Sequence, residues 1–140
     1  KPGYPNLVER VEAGLLSYGN EMTRDNNPLE CNLDNFCCLD GSIDFIGRQA
    51  LQRIAENGPI QRIRGVVFEG DPAPACASPW PIMSNGIQVG HTTTVVWSLQ
   101  LKANLSLAMI DKEFWNAGQN VQIETPDGVK RNGIVTKFPL

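Results

Sequence analysis

The sequence predicts an α+β fold: a short helix-containing N-terminal part followed by a small, closed or nearly closed antiparallel β-barrel. Apolar residues recur at helical spacing in the first part, but they alternate with polar residues at period two from Ile60 onward. Turn-forming dipeptides punctuate the second part, and they are Asn85-Gly86, Asp127-Gly128 and Asn132-Gly133. We therefore place a boundary near Gly58, between residues 1–58 and residues 59–140.

The first helix is predicted over residues 7–17, with Asn6 as its N-cap. Its apolar side chains would face a core, and they are Leu7, Val8, Val11 and Leu15. Gly14 lies near the helix end, at a cost of about 1 kcal/mol relative to alanine. Gly19-Asn20 would then stop the helix.

A second helix is predicted over residues 45–56, between an N-cap at Asp44 and a stop at Asn57-Gly58-Pro59. Its apolar face comprises Ile46, Ala50, Leu51 and Ile54. Between the two helices, weak alternation over residues 30–39 predicts a short strand.

The second part supplies the strands of the predicted barrel. The expected strands are residues 63–68, 86–97, 103–110, 121–125 and 133–138. Four prolines indicate that residues 70–81 form a loop, and residues 111–118 are typical of a short helical turn. Trp80, Trp97 and Trp115 are expected to pack the barrel.

Composition and charge exclude several classes of function. The chain has 140 residues and a net charge of −3, with no basic run, so we expect no nucleic-acid partner. No apolar run approaches the ~20 residues of a spanning helix, and no signal peptide precedes the first helix. We therefore expect a cytoplasmic protein without a membrane partner.

Cysteine spacing argues against a metal site. The four cysteines are Cys31, Cys37, Cys38 and Cys76, and the only histidine is His91. A zinc site needs two closely spaced ligand pairs, and no Cys-x-x-Cys is present. Reduced, partly buried thiols in a cytoplasmic protein are the expectation.

Five motifs, in the same order along the chain, resemble the glycine cleavage T-protein family of folate-dependent aminomethyl- and methyltransferases. That family has an Arg-x-Glu-Ala-Gly-Leu helix, a Tyr-Gly-Asn-Asp/Glu loop, a Pro-x-Glu turn and an Asp-Phe-Ile-Gly-Lys-x-Ala-Leu signature. The matching residues are Arg10, Glu12, Ala13, Gly14, Leu15, Tyr18, Gly19, Asn20, Asn27, Pro28, Glu30, Asp44, Phe45, Ile46, Gly47, Ala50 and Leu51. Residues 89–94, 98–109 and 137–139 resemble segments of the family's C-terminal barrel domain.

The resemblance implies that the chain is the C-terminal portion of a tetrahydrofolate-dependent one-carbon transferase. The chain begins at Lys1 rather than Met. The family's catalytic aspartate is expected upstream of Lys1, so we expect no catalytic residue here and no turnover by the chain alone. The implied partners are folate and a small one-carbon donor. A non-catalytic folding or interaction module is the alternative from a different class.

The resemblance also carries three candidate folate-site residues: Arg10, Glu12 and Tyr18. Arg10 would either reach the folate glutamate tail or cross-link neighbouring loops. Glu12 would support the site by accepting backbone amides of the Tyr18-Gly19-Asn20 loop. Tyr18 would either stack near folate or pack as a half-buried aromatic residue.

One departure bears on the donor of the one-carbon group. Glycine cleavage T-proteins carry Arg-Asp-Ser-Leu before the helix motif, and the first arginine of that segment contacts folate. Asn6 replaces it here, within a Pro-Asn-Leu-Val-Glu segment that looks closer to the dimethylsulfoniopropionate demethylase branch. That branch transfers a methyl group from a sulfonium to tetrahydrofolate, and it is the alternative within the enzyme class.

A chain cut from a larger fold should expose apolar surface that its partner normally covers. The expected surface is formed by Val8, Val11, Leu15 and Leu16. Large apolar patches usually find a partner, so we expect self-association through residues 1–58.

Overall fold

Six antiparallel strands close into a barrel in the computed structural model, which describes residues 6–137. The strands are β1 (Gln61–Phe68), β2 (Pro81–Ser84), β3 (Ile87–Ser98), β4 (Ala103–Asp111), β5 (Asn120–Glu124) and β6 (Lys130–Thr136). Their order around the barrel is β1-β4-β3-β2-β5-β6. Two helices precede the barrel, α1 (Leu7–Glu12) and α2 (Arg48–Asn57). The predicted α+β class with a small antiparallel barrel is therefore confirmed.

The barrel interior is filled by the inward residues of all six strands, as period-two alternation requires. The buried core residues include Val66, Phe68, Ile82, Val95, Ile110, Ile123 and Val135. Trp80 is buried in the same cluster, and Trp115 packs against it from the β4–β5 connection. Gly90 must be a glycine, because a Cβ there would collide with the backbone carbonyl of Met109.

Two of the three predicted turns are confirmed. Asn85-Gly86 joins β2 to β3 with positive φ at both residues, and Asp127-Gly128 lies between β5 and β6. The prediction of a turn at Asn132-Gly133 is wrong, because both residues lie inside β6. Gly133 pairs with Phe68 and Val121, and an added Cβ would lie 3.0 Å from the Phe68 Cβ. Close packing, rather than a turn, requires this glycine.

The first helix is shorter than predicted. Asn6 caps it in a capping box with Glu9, as expected for the N-terminus. The helix ends at Glu12 rather than at Ser17, because Gly14 takes a left-handed conformation with φ of 68°. Gly14 thus ends the helix, and the chain changes direction after it.

The segment between α1 and β1 departs most from the prediction. Residues 30–39 form turns and a 3₁₀ helix (Asp34–Phe36), not a strand, and Asn32 sits at a positive φ of 57°. The second helix begins at Arg48, three residues later than predicted, because Gly47 adopts φ of 92°. Asp44 is not its N-cap but lies 3.6 Å from the Arg48 guanidinium.

Three further predictions in the barrel region need correction. Residues 111–118 form turns without a helix. The predicted loop over residues 70–81 is confirmed up to Pro81, where the four-residue strand β2 begins. The predicted last strand ended at Phe138, which lies outside the described residues, whereas β6 ends at Thr136.

Helix α1 packs on the outside of the barrel. Val11 is fully buried against Val96, Leu105 and Leu107, and Val8 and Leu16 pack partly against the same cluster. The expectation that these side chains lack a partner within the chain is therefore wrong for Val8, Val11 and Leu16, because β3 and β4 provide one, whereas Leu15 is 51% exposed.

Helix α2 shows the opposite behaviour, since none of its residues is buried. Large apolar side chains are also exposed in the segments before and after it in the sequence, and they are Phe36, Ile43, Ile46 and Ile60. Among residues 6–137, no helix has the length and apolar character needed to cross a membrane.

Candidate functional site

The Arg10 side chain is held inside a network of hydrogen bonds at the end of α1. Its Nη1 donates to the Leu15 carbonyl at 2.7 Å and to Glu21 Oε2 at 2.8 Å, and its Nη2 donates to Thr94 Oγ1 at 3.2 Å. The side chain is 15% exposed. Of the two predicted roles, the geometry favours the cross-link between neighbouring loops, since both terminal nitrogens already have protein partners.

Glu21 is the centre of this network, and sequence reasoning did not single it out. Its side chain is fully buried, and its carboxylate accepts hydrogen bonds from Arg10, from the Ser17 amide at 2.7 Å and from the Thr94 hydroxyl. A buried carboxylate is tolerated only when it is paired and hydrogen-bonded in this way. The signal that could have found it is the acidic residue that follows Tyr18-Gly19-Asn20 in the motif.

Glu12 lies on the same helix but contacts a different part of the barrel. Its carboxylate accepts a hydrogen bond from Ser98 Oγ at 2.6 Å, and Ser98 Oγ in turn accepts the Leu101 amide at 3.1 Å. The predicted role as an acceptor for amides of the Tyr18-Gly19-Asn20 loop is wrong, because the Gly19 and Asn20 amides donate to the Met22 and Ser17 carbonyls. Glu12 instead ties α1 to the turn between β3 and β4.

Tyr18 lies at the surface, on a tight loop formed by residues 17–22. The loop is closed by the Gly19 amide, which donates to the Met22 carbonyl at 2.8 Å, and by the Glu21 amide, which donates to the Ser17 carbonyl at 3.1 Å. The Tyr18 side chain is 67% exposed. The prediction of a half-buried aromatic residue is therefore wrong, and the aromatic ring is exposed beside the Arg10–Glu21 network.

Two titratable groups outside this network have shifted pKa values. Burial lowers the pKa of His91 on β3, an effect that the nearby Asp111 carboxylate partly offsets. Burial also lowers the pKa of Arg64, whose guanidinium lies 5.3 Å from the Trp115 ring centroid. Residues 6–137 contain no cluster of three side chains suited to a metal ion, and all four cysteines are free thiols.

An open cavity of about 800 Å³ lies on the barrel, apart from the Arg10–Glu21 network. It is lined by residues of β1, β2, β5 and β6, among them Val67, Met83, Gln122, Asn132 and Ile134. None of the three predicted site residues borders it. The barrel cavity and the Tyr18 loop are thus separate features of the surface.

Comparison with known proteins identifies the barrel. Residues 61–140 match the family described as the glycine cleavage T-protein C-terminal barrel domain. A dimethylsulfoniopropionate demethylase from Ruegeria pomeroyi is 43% identical over 130 residues, which cover 93% of this chain and 35% of that protein. An aminomethyltransferase from Synechococcus sp. (strain CC9902) is 38% identical over 115 residues, covering 82% of this chain and 31% of that protein.

The fold agrees with a solved structure from the same group of proteins. The glycine cleavage system aminomethyltransferase T from Bartonella henselae superposes with a TM-score of 0.79 at 21% identity, covering 94% of this chain and 37% of that one. The chain thus spans about a third of the length of the relatives that it matches.

Proposed function

This chain belongs to the glycine cleavage T-protein family, and we propose that it is the C-terminal part of a tetrahydrofolate-dependent one-carbon transferase. The observation that carries the proposal is the similarity over more than four-fifths of the chain to proteins named aminomethyltransferase and demethylase. Both names describe movement of a single-carbon group. The catalytic aspartate and most of the donor site would lie in the remaining two-thirds of the protein, which would act in the cytoplasm.

The chemistry assigned to this chain is positioning. Holding the folate acceptor and the donor carbon in reactive geometry can by itself account for about 7–11 kcal/mol of a barrier. Tetrahydrofolate supplies the nitrogen that accepts the one-carbon group. The residues described here would help to hold and orient it.

Tyr18 is the residue proposed to touch the cofactor. A planar, exposed aromatic side chain on a braced loop fits stacking against the pterin or the aminobenzoyl ring of folate. Arg10 fits a supporting role, because its guanidinium is already paired with Glu21 and its charge is not available to the folate glutamate tail. Glu12 supports the same helix from its other side through Ser98.

Tetrahydrofolate binding by the full-length protein tests this assignment. We expect saturable binding in calorimetry and weaker binding by the Tyr18→Ala variant, with little change in thermal stability because the side chain is exposed. Phe36→Ala is the matched control, since Phe36 is an exposed aromatic residue outside the loop. Equal affinities for the two variants would contradict the role of Tyr18, and no binding by the wild type would contradict the function.

A second candidate concerns the donor rather than the acceptor. The 43% identity to a dimethylsulfoniopropionate demethylase, together with Asn6 before α1, makes a methyl donor of the sulfonium class the second candidate. The first candidate is an aminomethyl donor, as the relatives named aminomethyltransferase suggest. The two candidates share the folate acceptor and differ only in which donor is consumed.

A further inference from the structure

Three separated stretches of chain meet at the Glu21 carboxylate. Arg10 comes from α1, the Ser17 amide comes from the loop after it, and Thr94 comes from β3, 73 residues away from Glu21. Thr94 is also buried, and its Oγ1 accepts a second bond from Arg10. The Glu21 side chain therefore links the loop that carries Tyr18 directly to β3 of the barrel.

A β-bulge in β3 aims Thr94 at that carboxylate. Thr92 pairs with Ala108 and Thr94 pairs with Leu107, so Thr93 is an additional residue in β3. Ala108 faces the barrel core, whereas Leu107 faces Val11 on α1. An extra residue reverses the faces of a strand and re-aims its side chains. The bulge thus turns Thr94 outward.

Beyond the bulge, three residues on this outer face of β3 contact the N-terminal segment. Thr94 bonds to Glu21, Val96 packs against Val11, and Ser98 bonds to Glu12. The spacing of two residues is that of one strand face. Only the first of these contacts reaches the loop, since the other two end on α1.

We propose that Glu21, held by Thr94, is a positioning residue that fixes the Tyr18 loop for tetrahydrofolate. The proposal rests on the proposed function and adds to it a residue that does not touch the cofactor. Without the Thr94 hydroxyl, the carboxylate keeps Arg10 and the Ser17 amide, but Glu21 and Arg10 both lose their direct hydrogen bond to β3. The loop would then move relative to β3. Tyr18 would bind folate less well, although the tyrosine side chain itself is unchanged.

Three substitutions at neighbouring threonines separate positioning from general stability. Thr94→Val removes the hydroxyl with little change in side-chain shape. Thr94→Ser retains a hydroxyl at the same position. Thr93→Val is the matched control, because the Thr93 hydroxyl donates to the Leu107 carbonyl at 3.0 Å, within the barrel. Each variant is made in the full-length protein. The measurements are the tetrahydrofolate dissociation constant, the melting temperature and amide hydrogen exchange over residues 17–22.

We expect Thr94→Val to raise the dissociation constant by about tenfold, the scale of one hydrogen bond to a charged group. Exchange in the loop should accelerate by a similar factor. Thr93→Val should lower the melting temperature without either change, and Thr94→Ser should behave as the wild type. The proposal is overturned if both valine variants weaken binding equally, or if Thr94→Val leaves loop exchange unaltered. Loss of binding already in the wild type would instead contradict the proposed function, and loop exchange would still test the link to the barrel.

Discussion

Burial of one carboxylate decides how the residues after α1 are arranged. Glu21 has no exposed side-chain surface, so every lone pair that it turns toward the protein needs a donor. Arg10, Ser17 and Thr94 supply those donors. The sequence could point to Arg10 through its motif, but it could not show a partner 11 residues away or a barrel residue 84 away. Such pairs depend on tertiary structure, which local patterns do not contain.

The residue-scale prediction concerns Arg10. Arg10→Ala leaves the Glu21 charge buried without its cation, so we expect the free energy of unfolding to fall by about 2–4 kcal/mol. Urea denaturation of the chain measures this change. Arg48→Ala is the control, because its partner Asp44 is 88% exposed and such surface pairs contribute about 0–1 kcal/mol. Equal losses for the two variants would show that the Arg10–Glu21 pair has no special role.

At the scale of elements, the strands were easier to predict than the helices. Alternation and turn dipeptides located the long strands to within two or three residues, but β2 was missed because Pro79 and Pro81 indicated a loop at its start. The helices were predicted too long at one end, since Gly14 and Gly47 take left-handed conformations there. A glycine's φ follows from its surroundings, so these boundaries could not be derived from helical spacing alone.

The element-scale prediction concerns the apolar residues around α2. Ile46 is fully exposed just before the helix, and no residue of α2 is buried. We expect the chain to self-associate through this region, and we expect Ile46→Asp to reduce the average mass in light scattering at high concentration. Gln49→Asp adds the same charge at an exposed polar position and should have no effect. If Ile46→Asp leaves the average mass unchanged, the surface that mediates self-association does not include Ile46.

At the scale of the whole molecule, α1 and the barrel share a hydrophobic cluster. Val11 packs against residues of β3 and β4, although the change in sequence periodicity near Gly58 suggests two separate parts. The boundary at Gly58 stays a prediction. Sequence patterns locate where the type of element changes, but they do not reveal which elements bury surface against each other.

The molecule-scale prediction is that residues 59–140 alone are less stable than the chain with α1. Removal of α1 uncovers Val96, Leu105 and Leu107, and a fully buried valine contributes about 1.5–3 kcal/mol. Val11→Ala in the intact chain should lose part of the same free energy, whereas Leu7→Ala, at an exposed position on α1, should not. Equal melting temperatures with and without residues 1–58 would show that the barrel is independent.

The central claim is transfer of a one-carbon group to tetrahydrofolate. An isotope label on the donor carbon tests this transfer most directly. The full-length protein is mixed with tetrahydrofolate and either a ¹³C-labelled sulfonium donor or a ¹³C-labelled aminomethyl donor, and the product is read by NMR. We predict that the label appears on folate with one of the two donors, and which donor reacts decides between the two candidates. Consumption of a donor without label on folate, or no reaction of either donor while folate binds, would contradict the account.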